Sequence, residues 1–95
     1  MQKCVRKAVL KDCLDLAPKM RLADRREIRA SDNASPLQAL VLPFTYEGAK
    51  NYTILGTEEE GVIGMFGTTP CDFKKDYGVA WMLSSDQLRN HVRQF

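Results

Sequence analysis

The chain is expected to fold as one α+β domain, residues 1–95, in which an antiparallel β-sheet of about four strands packs with three to four helices. Three observations lead to that expectation. The hydrophobic spacing is helical through much of the first half and becomes strand-like from Asn51 onward. Two Ser-x-x-Gln stretches, Ser35-Pro36-Leu37-Gln38 and Ser84-Ser85-Asp86-Gln87, have the form of helix-opening capping boxes. A length of 95 residues, 44% hydrophobic and 27% charged, suits one modest core and no more.

Element by element, Cys4–Leu10 reads as a short first strand, with Val5, Val9 and Leu10 apolar between charges. Asp12 is placed to cap a helix running through Leu14, Leu16 and Ala17. Pro18 cannot donate to a helical ladder and restrains Ala17, so a kink or break is expected there. Helical spacing resumes through Met20, Ala23, Glu27 and Ile28, and residues 31–34 are turn-like. After the Ser35 box, Leu37, Leu40, Val41 and Phe44 define one buried stripe, and Pro43 ends or kinks that helix near Leu42. Tyr52–Gly56 and Val62–Thr68 form a hairpin with an exposed acidic tip at Glu58-Glu59-Glu60-Gly61. A polar loop over Thr69–Asp76 leads to Gly78–Leu83, a continuous apolar run expected of a strand covered on both faces. Ser84–Gln87 then opens a last helix with Leu88, Val92 and Phe95 on its inner side. Strands and helices do not alternate as they do in a doubly wound parallel sheet.

Composition narrows the function classes. No apolar run approaches the roughly 20 residues that span a bilayer, and the N-terminal MQKCVRKAVLKDC lacks the apolar region of a secretion signal. A cytoplasmic location is expected. Cys4, Cys13 and Cys71 form no CxxC pair and stand with a single histidine, His91, so a zinc site lacks ligands. The cysteines read as free thiols. Residues 1–30 carry nine basic and four acidic side chains, and residues 31–95 carry five basic and eight acidic. Arg21, Arg25, Arg26 and Arg29 are spaced along one side of a helix and form a candidate anion or nucleic-acid patch. The alternative is a solvated face paired with Asp24 and Glu27, and the absence of a neighbouring stacking aromatic favours it.

Four stretches carry a family resemblance: Val5-Arg6-Lys7-Ala8, Met20-Arg21-x-Ala23-Asp24-x-x-Glu27-Ile28, Ile63-Gly64-Met65-Phe66-Gly67, and Val79-Ala80-Trp81-Met82-Leu83-x-Ser85-Asp86. In these and in its element order the chain resembles the N-terminal part of the GNAT (acetyltransferase-like) fold. It also resembles small phage proteins related to the internal virion protein of podoviruses. The resemblance implies a domain incomplete at its C-terminal end, residing in a host cytoplasm or a virion. It further implies an acetyl-CoA site along Trp81, Met82, Leu83, Ser84, Ser85, Asp86 and Gln87, with Asp24 or Glu27 near the acceptor as base or amine ligand. The phosphate chemistry would use free N–H groups at a helix start.

The sequence departs from that pattern where it matters. No glycine follows Leu83, and Asp86 puts a negative charge where the cofactor's phosphates would lie. A helix start capped by its own serines accounts for Ser84–Gln87 without a ligand. Asp24 and Glu27 can likewise pair with neighbouring arginines. The expectation is therefore a non-enzymatic GNAT-like structural or interaction protein with no cofactor and no metal. It is expected to self-associate or bind a partner protein through the edge of the Gly78–Leu83 strand. The alternative is an acyl-CoA-dependent N-acyltransferase, or a fragment of one, using acetyl-CoA.

Overall fold

The computed structural model describes residues 5–71 and 74–88, with the backbone alone for Asp32, Cys71 and residues 74–77. The first strand, β1 (Val5–Lys7), is shorter than the alternation suggests, because the chain turns into α1 (Leu10–Leu16) almost at once. Asp12 is not the cap of that helix. It lies in the first turn and accepts the Val9 N–H at 3.0 Å, the return half of a capping box with Val9 at the cap position. At Pro18, α1 passes into a 3-10 turn, Ala17–Lys19, before α2 (Leu22–Asp32) begins. The Arg25 guanidinium holds this junction, donating to the carbonyls of Ala17, Pro18 and Met20 at 3.1, 2.8 and 2.9 Å. Asn33 closes α2 in the left-handed region (φ 51°), which asparagine tolerates better than most residues.

The Ser35 capping box forms as expected. The Gln38 N–H donates to Ser35 Oγ at 3.2 Å and the Ser35 N–H to Gln38 Oε1 at 2.9 Å, with Pro36 in the first helical position. It opens α3 (Pro36–Val41), which Pro43 converts into a 3-10 turn over Leu42–Thr45. Of the expected stripe, Leu40 is fully buried and Val41 and Phe44 half-buried, but Leu37 is exposed. Six residues make fewer than two turns, and Leu37 falls in the turn that does not reach the core.

Three further strands, β2 (Lys50–Leu55), β3 (Val62–Cys71) and β4 (Lys74–Ser84), complete one sheet of order β1-β2-β3-β4, antiparallel throughout. The β2–β3 turn is tied by Gly56 N–H to the Gly61 carbonyl and Gly61 N–H to the Thr57 carbonyl, both at 2.9 Å. Gly61 takes φ 65° there, which glycine permits at little cost.

The expected loop over Thr69–Asp76 is instead largely strand: Thr69–Cys71 extend β3 and Lys74–Asp76 begin β4. Pro70 is tolerated because β2 stops at its pairing of Lys50 with Thr68. Its missing N–H therefore faces no ladder partner. Nor is Gly78–Leu83 covered on both faces. Val79 and Met82 are 57% and 51% exposed, because β4 is an edge strand and the helices cover only one face of the sheet. Ser84 ends β4 rather than capping a helix, and residues 86–88 form one 3-10 turn. The expected inner stripe at Val92 and Phe95 lies outside the described residues.

Thr53, Met65 and Leu83 are direct neighbours across β2, β3 and β4 and face the helices. The core forms where that face meets Cys13, Leu16, Ala17 and Met20 of the first helical stretch, Ile28 of α2 and Leu40 of α3. Full burial of side chains such as Leu16, Leu40 and Met65 stabilises by about 1.5–3 kcal/mol each. No described helix is long and apolar enough to cross a membrane.

Candidate functional site

Asp24 is buried near the start of α2 and its carboxylate is fully engaged. It accepts from Arg21 Nε and Nη2 at 3.2 and 2.7 Å, and from the Ser84 N–H of β4 at 2.9 Å. The Arg21 N–H in turn donates to the Ser84 carbonyl at 2.8 Å. Met20 and Ser85 form an isolated antiparallel bridge beside this pair. The residues expected near an acceptor, Asp24 and Glu27, therefore part company. Asp24 latches α2 to the end of β4, while Glu27 is exposed on the rim of a groove.

Two other aspartates anchor helix to sheet in the same manner. Asp12 takes a bidentate contact from Arg6 (2.8 Å twice) and the Thr53 hydroxyl at 2.8 Å. Asp15 accepts the Val62 N–H at 3.0 Å and pairs with Lys19 at 3.0 Å. Burial alone would raise the pKa of both groups. For Asp12 the Arg6 guanidinium, the Val9 N–H and the Thr53 hydroxyl outweigh it and hold the carboxyl below its ordinary value. For Asp15 the Val62 N–H and Lys19 do the same. Cys13 moves the other way. Burial, reinforced by the charge of Asp12, pushes its thiol up to about 11, and its Sγ lies 3.5 Å from the Leu40 carbonyl. It is a packing residue.

The expected cofactor stretch runs along the end of β4. Three of its backbone donors, those at the turn, have partners within the chain: Ser84 N–H on Asp24, Ser85 N–H on the Ile63 carbonyl at 2.9 Å, Gln87 N–H on Ser85 Oγ at 3.3 Å. Ser85, not Ser84, caps the turn that follows. The expected arginine patch is also divided. Arg21 is tied to Asp24 and Arg25 to the α1–α2 junction, leaving Arg26 and Arg29 on the exposed side of α2. Among the described residues no group of three or more His, Cys, Asp or Glu could hold a metal ion, and His91 lies outside them.

Among the described residues, the fold leaves β4 as an edge strand. In an antiparallel ladder a residue's N–H and C=O point to the same side, and the side alternates along the strand. Ser85 points its N–H at β3, whereas Ser84 points both groups at α2. By that alternation Gly78, Ala80 and Met82 turn their N–H and C=O groups away from β3, toward the open edge. Among the described residues no further strand lies beyond β4.

Beside this edge runs an open groove of about 700 Å³ between β4 and the α2–α3 layer. Leu42 and Tyr46, 51% and 44% exposed, line it together with Val79 and Met82. Trp81 also lines it, with its indole Nε1 buried and without a hydrogen-bond partner among the described residues. Leu42 and Tyr46 were not singled out by sequence, since only the sheet pairing brings the 3-10 turn after α3 alongside β4. No protein-family model matches this chain, and no curated protein and no solved structure matches it either.

Proposed function

We propose that this chain is a non-enzymatic, GNAT-like interaction protein of the small phage type that it resembles, associating with protein through the free edge of β4. The observation that carries the reading is the row of outward backbone groups at Gly78, Ala80 and Met82, flanked by exposed Val79 and Met82. An unpaired edge of this kind is a template for another strand. The succession of a strand, three helices and three antiparallel strands supports the GNAT-like part of the reading. The pairing of the Ser84, Ser85 and Gln87 N–H groups within the chain supports the non-enzymatic part, because an anion at that turn would have to displace them.

Amide hydrogen exchange tests the edge directly. The Gly78, Ala80 and Met82 amides should become more protected as protein concentration, or that of an added partner, rises. Fast exchange at every concentration, or protection indifferent to concentration, sinks the reading. For catalysis, acetyl-CoA at about 100 times any relevant Kd would stabilise the fold by about 2.7 kcal/mol. We expect the melting curve to stay where it is.

A further inference from the structure

The proposed docking edge has a shape that fits one occupant in particular, and this inference rests on that reading of β4. We infer that the edge pairs with a second copy of itself, β4 against β4 in antiparallel register about a two-fold axis at Ala80. The length of open edge sets the frame. Toward its C-terminal end the edge is closed at Ser84, whose outward groups are taken by Arg21 and Asp24. Toward its N-terminal end the regular pairing of β4 with β3 stops at Gly78, where the register shifts between Pro70 and Cys71. The residues with outward backbone groups within that regular stretch are Gly78, Ala80 and Met82, and Ala80 is their centre.

A two-fold axis at Ala80 sets Gly78 across from Met82 of the partner and Ala80 across from its own counterpart. On the outer face of the sheet the large Met82 then meets a glycine at both ends of the ladder, so the exposed thioether is accommodated without overlap. On the helix face, Val79 meets Trp81 of the partner subunit in a non-hydrogen-bonded pair, where side chains approach most closely. The open edge from Gly78 to Leu83 carries no charge, so pairing it with itself opposes no like charges.

An interface of about 1,000 Å² in total needs about 500 Å² from each copy, roughly a fourteenth of the chain's 7102 Å². Exposed Leu42, Tyr46, Val79 and Met82 concentrate apolar area along this same strip.

Cysteine cross-linking tests the register. In a Cys4→Ser, Cys71→Ser background, buried Cys13 is left in place and Ala80→Cys is introduced. Paired Ala80 positions lie about 5.5 Å apart at Cα, within the range of a disulfide. Mild oxidation should convert A80C to a covalent species of twice the 10.8 kDa chain mass. Gly78→Cys or Met82→Cys alone should give no covalent dimer, since like positions are about 14 Å apart in this register. A mixture of G78C and M82C should cross-link. If the edge amides gain protection with concentration but A80C does not cross-link, the second-copy register is overturned while edge docking stands. Protection appearing only with an added partner protein overturns the second copy in the same way. No protection under any condition overturns both.

Discussion

Asp12 gathers the charged tip of Arg6 from β1, the hydroxyl of Thr53 from β2 and the first turn of its own helix into one buried knot. Replacing it with alanine leaves the Thr53 hydroxyl unpaired in a buried place and takes the acceptor from the part-buried Val9 N–H. Arg6, being half exposed, can turn to water, which moderates the loss. D12A should therefore cost about 2–3 kcal/mol, read as a lowered urea midpoint with unchanged slope. The same residue sets a pH response. A carboxyl held lower in the folded state than its unfolded value of about 3.9 adds stability above that value and loses it as the pH falls through the folded one. Asp15 acts in the same direction. Wild-type stability should fall between about pH 5 and pH 2, and the fall should be shallower in D12A; parallel curves for the two proteins would remove Asp12 as its source. Asp24→Ala should release the end of β4 from α2 and cost about 1–3 kcal/mol. Because Asp24 serves as a latch, Asp24→Asn should restore only part of this, since an amide oxygen can accept the Ser84 N–H but cannot pair with Arg21.

At the scale of the elements, the alternation along β4 makes neighbouring positions respond oppositely to one change. Val79 directs its N–H into the β3 ladder, opposite Thr69, whereas Ala80 directs its N–H outward. Val79→Pro should break a ladder bond and unfold the edge, lowering the melting temperature. Ala80→Pro removes only an outward donor and should leave the monomer close to wild type in melting temperature and circular dichroism. Equal destabilisation by the two would mean that the alternation is misassigned. The same pairing explains what could be read from the chain and what could not. The Ser35–Gln38 box was legible because all its partners lie within three residues. The roles of Asp12, Asp15 and Asp24 were not, because Thr53, Val62 and Ser84 lie 41, 47 and 60 residues away. The Gly78–Leu83 run could be recognised as a strand, but an apolar run does not say whether it is central or at an edge. Pro70 looked like loop punctuation, yet its acceptability depended on where another strand stopped. Gly67 belongs to this level too. It sits between Asn51 and Trp81, and a Cβ there would collide with the Lys50 carbonyl and crowd Asn51. Gly67→Ala should cost about 1–3 kcal/mol through that collision.

For the whole molecule, folding and association become one equilibrium once the edge pairs with a second copy. The helices shield one face of the sheet, and the latch at Asp24 fixes where the β4 edge ends among the described residues, so the proposed dimer would form on a surface already organised in the monomer. Binding that occurs in the native state and not in the unfolded chain stabilises by mass action. For a native dimer that unfolds to two chains, each tenfold rise in protein concentration adds about 1.4 kcal/mol per dimer, about 0.7 kcal/mol per chain. In a domain of this size that shifts the melting temperature by about 3–5 °C. Scans across concentrations spanning the association range should display this slope for the wild type. Ala80→Pro should melt at one temperature throughout, equal to the dilute limit of the wild type, because it keeps the β3 ladder and loses only the central contact at the axis. A wild-type curve independent of concentration, with the chain running at 10.8 kDa throughout, would remove the second copy as a contributor to the fold's stability. A concentration slope that survives in Ala80→Pro would place the contact elsewhere on the surface, away from the edge of β4.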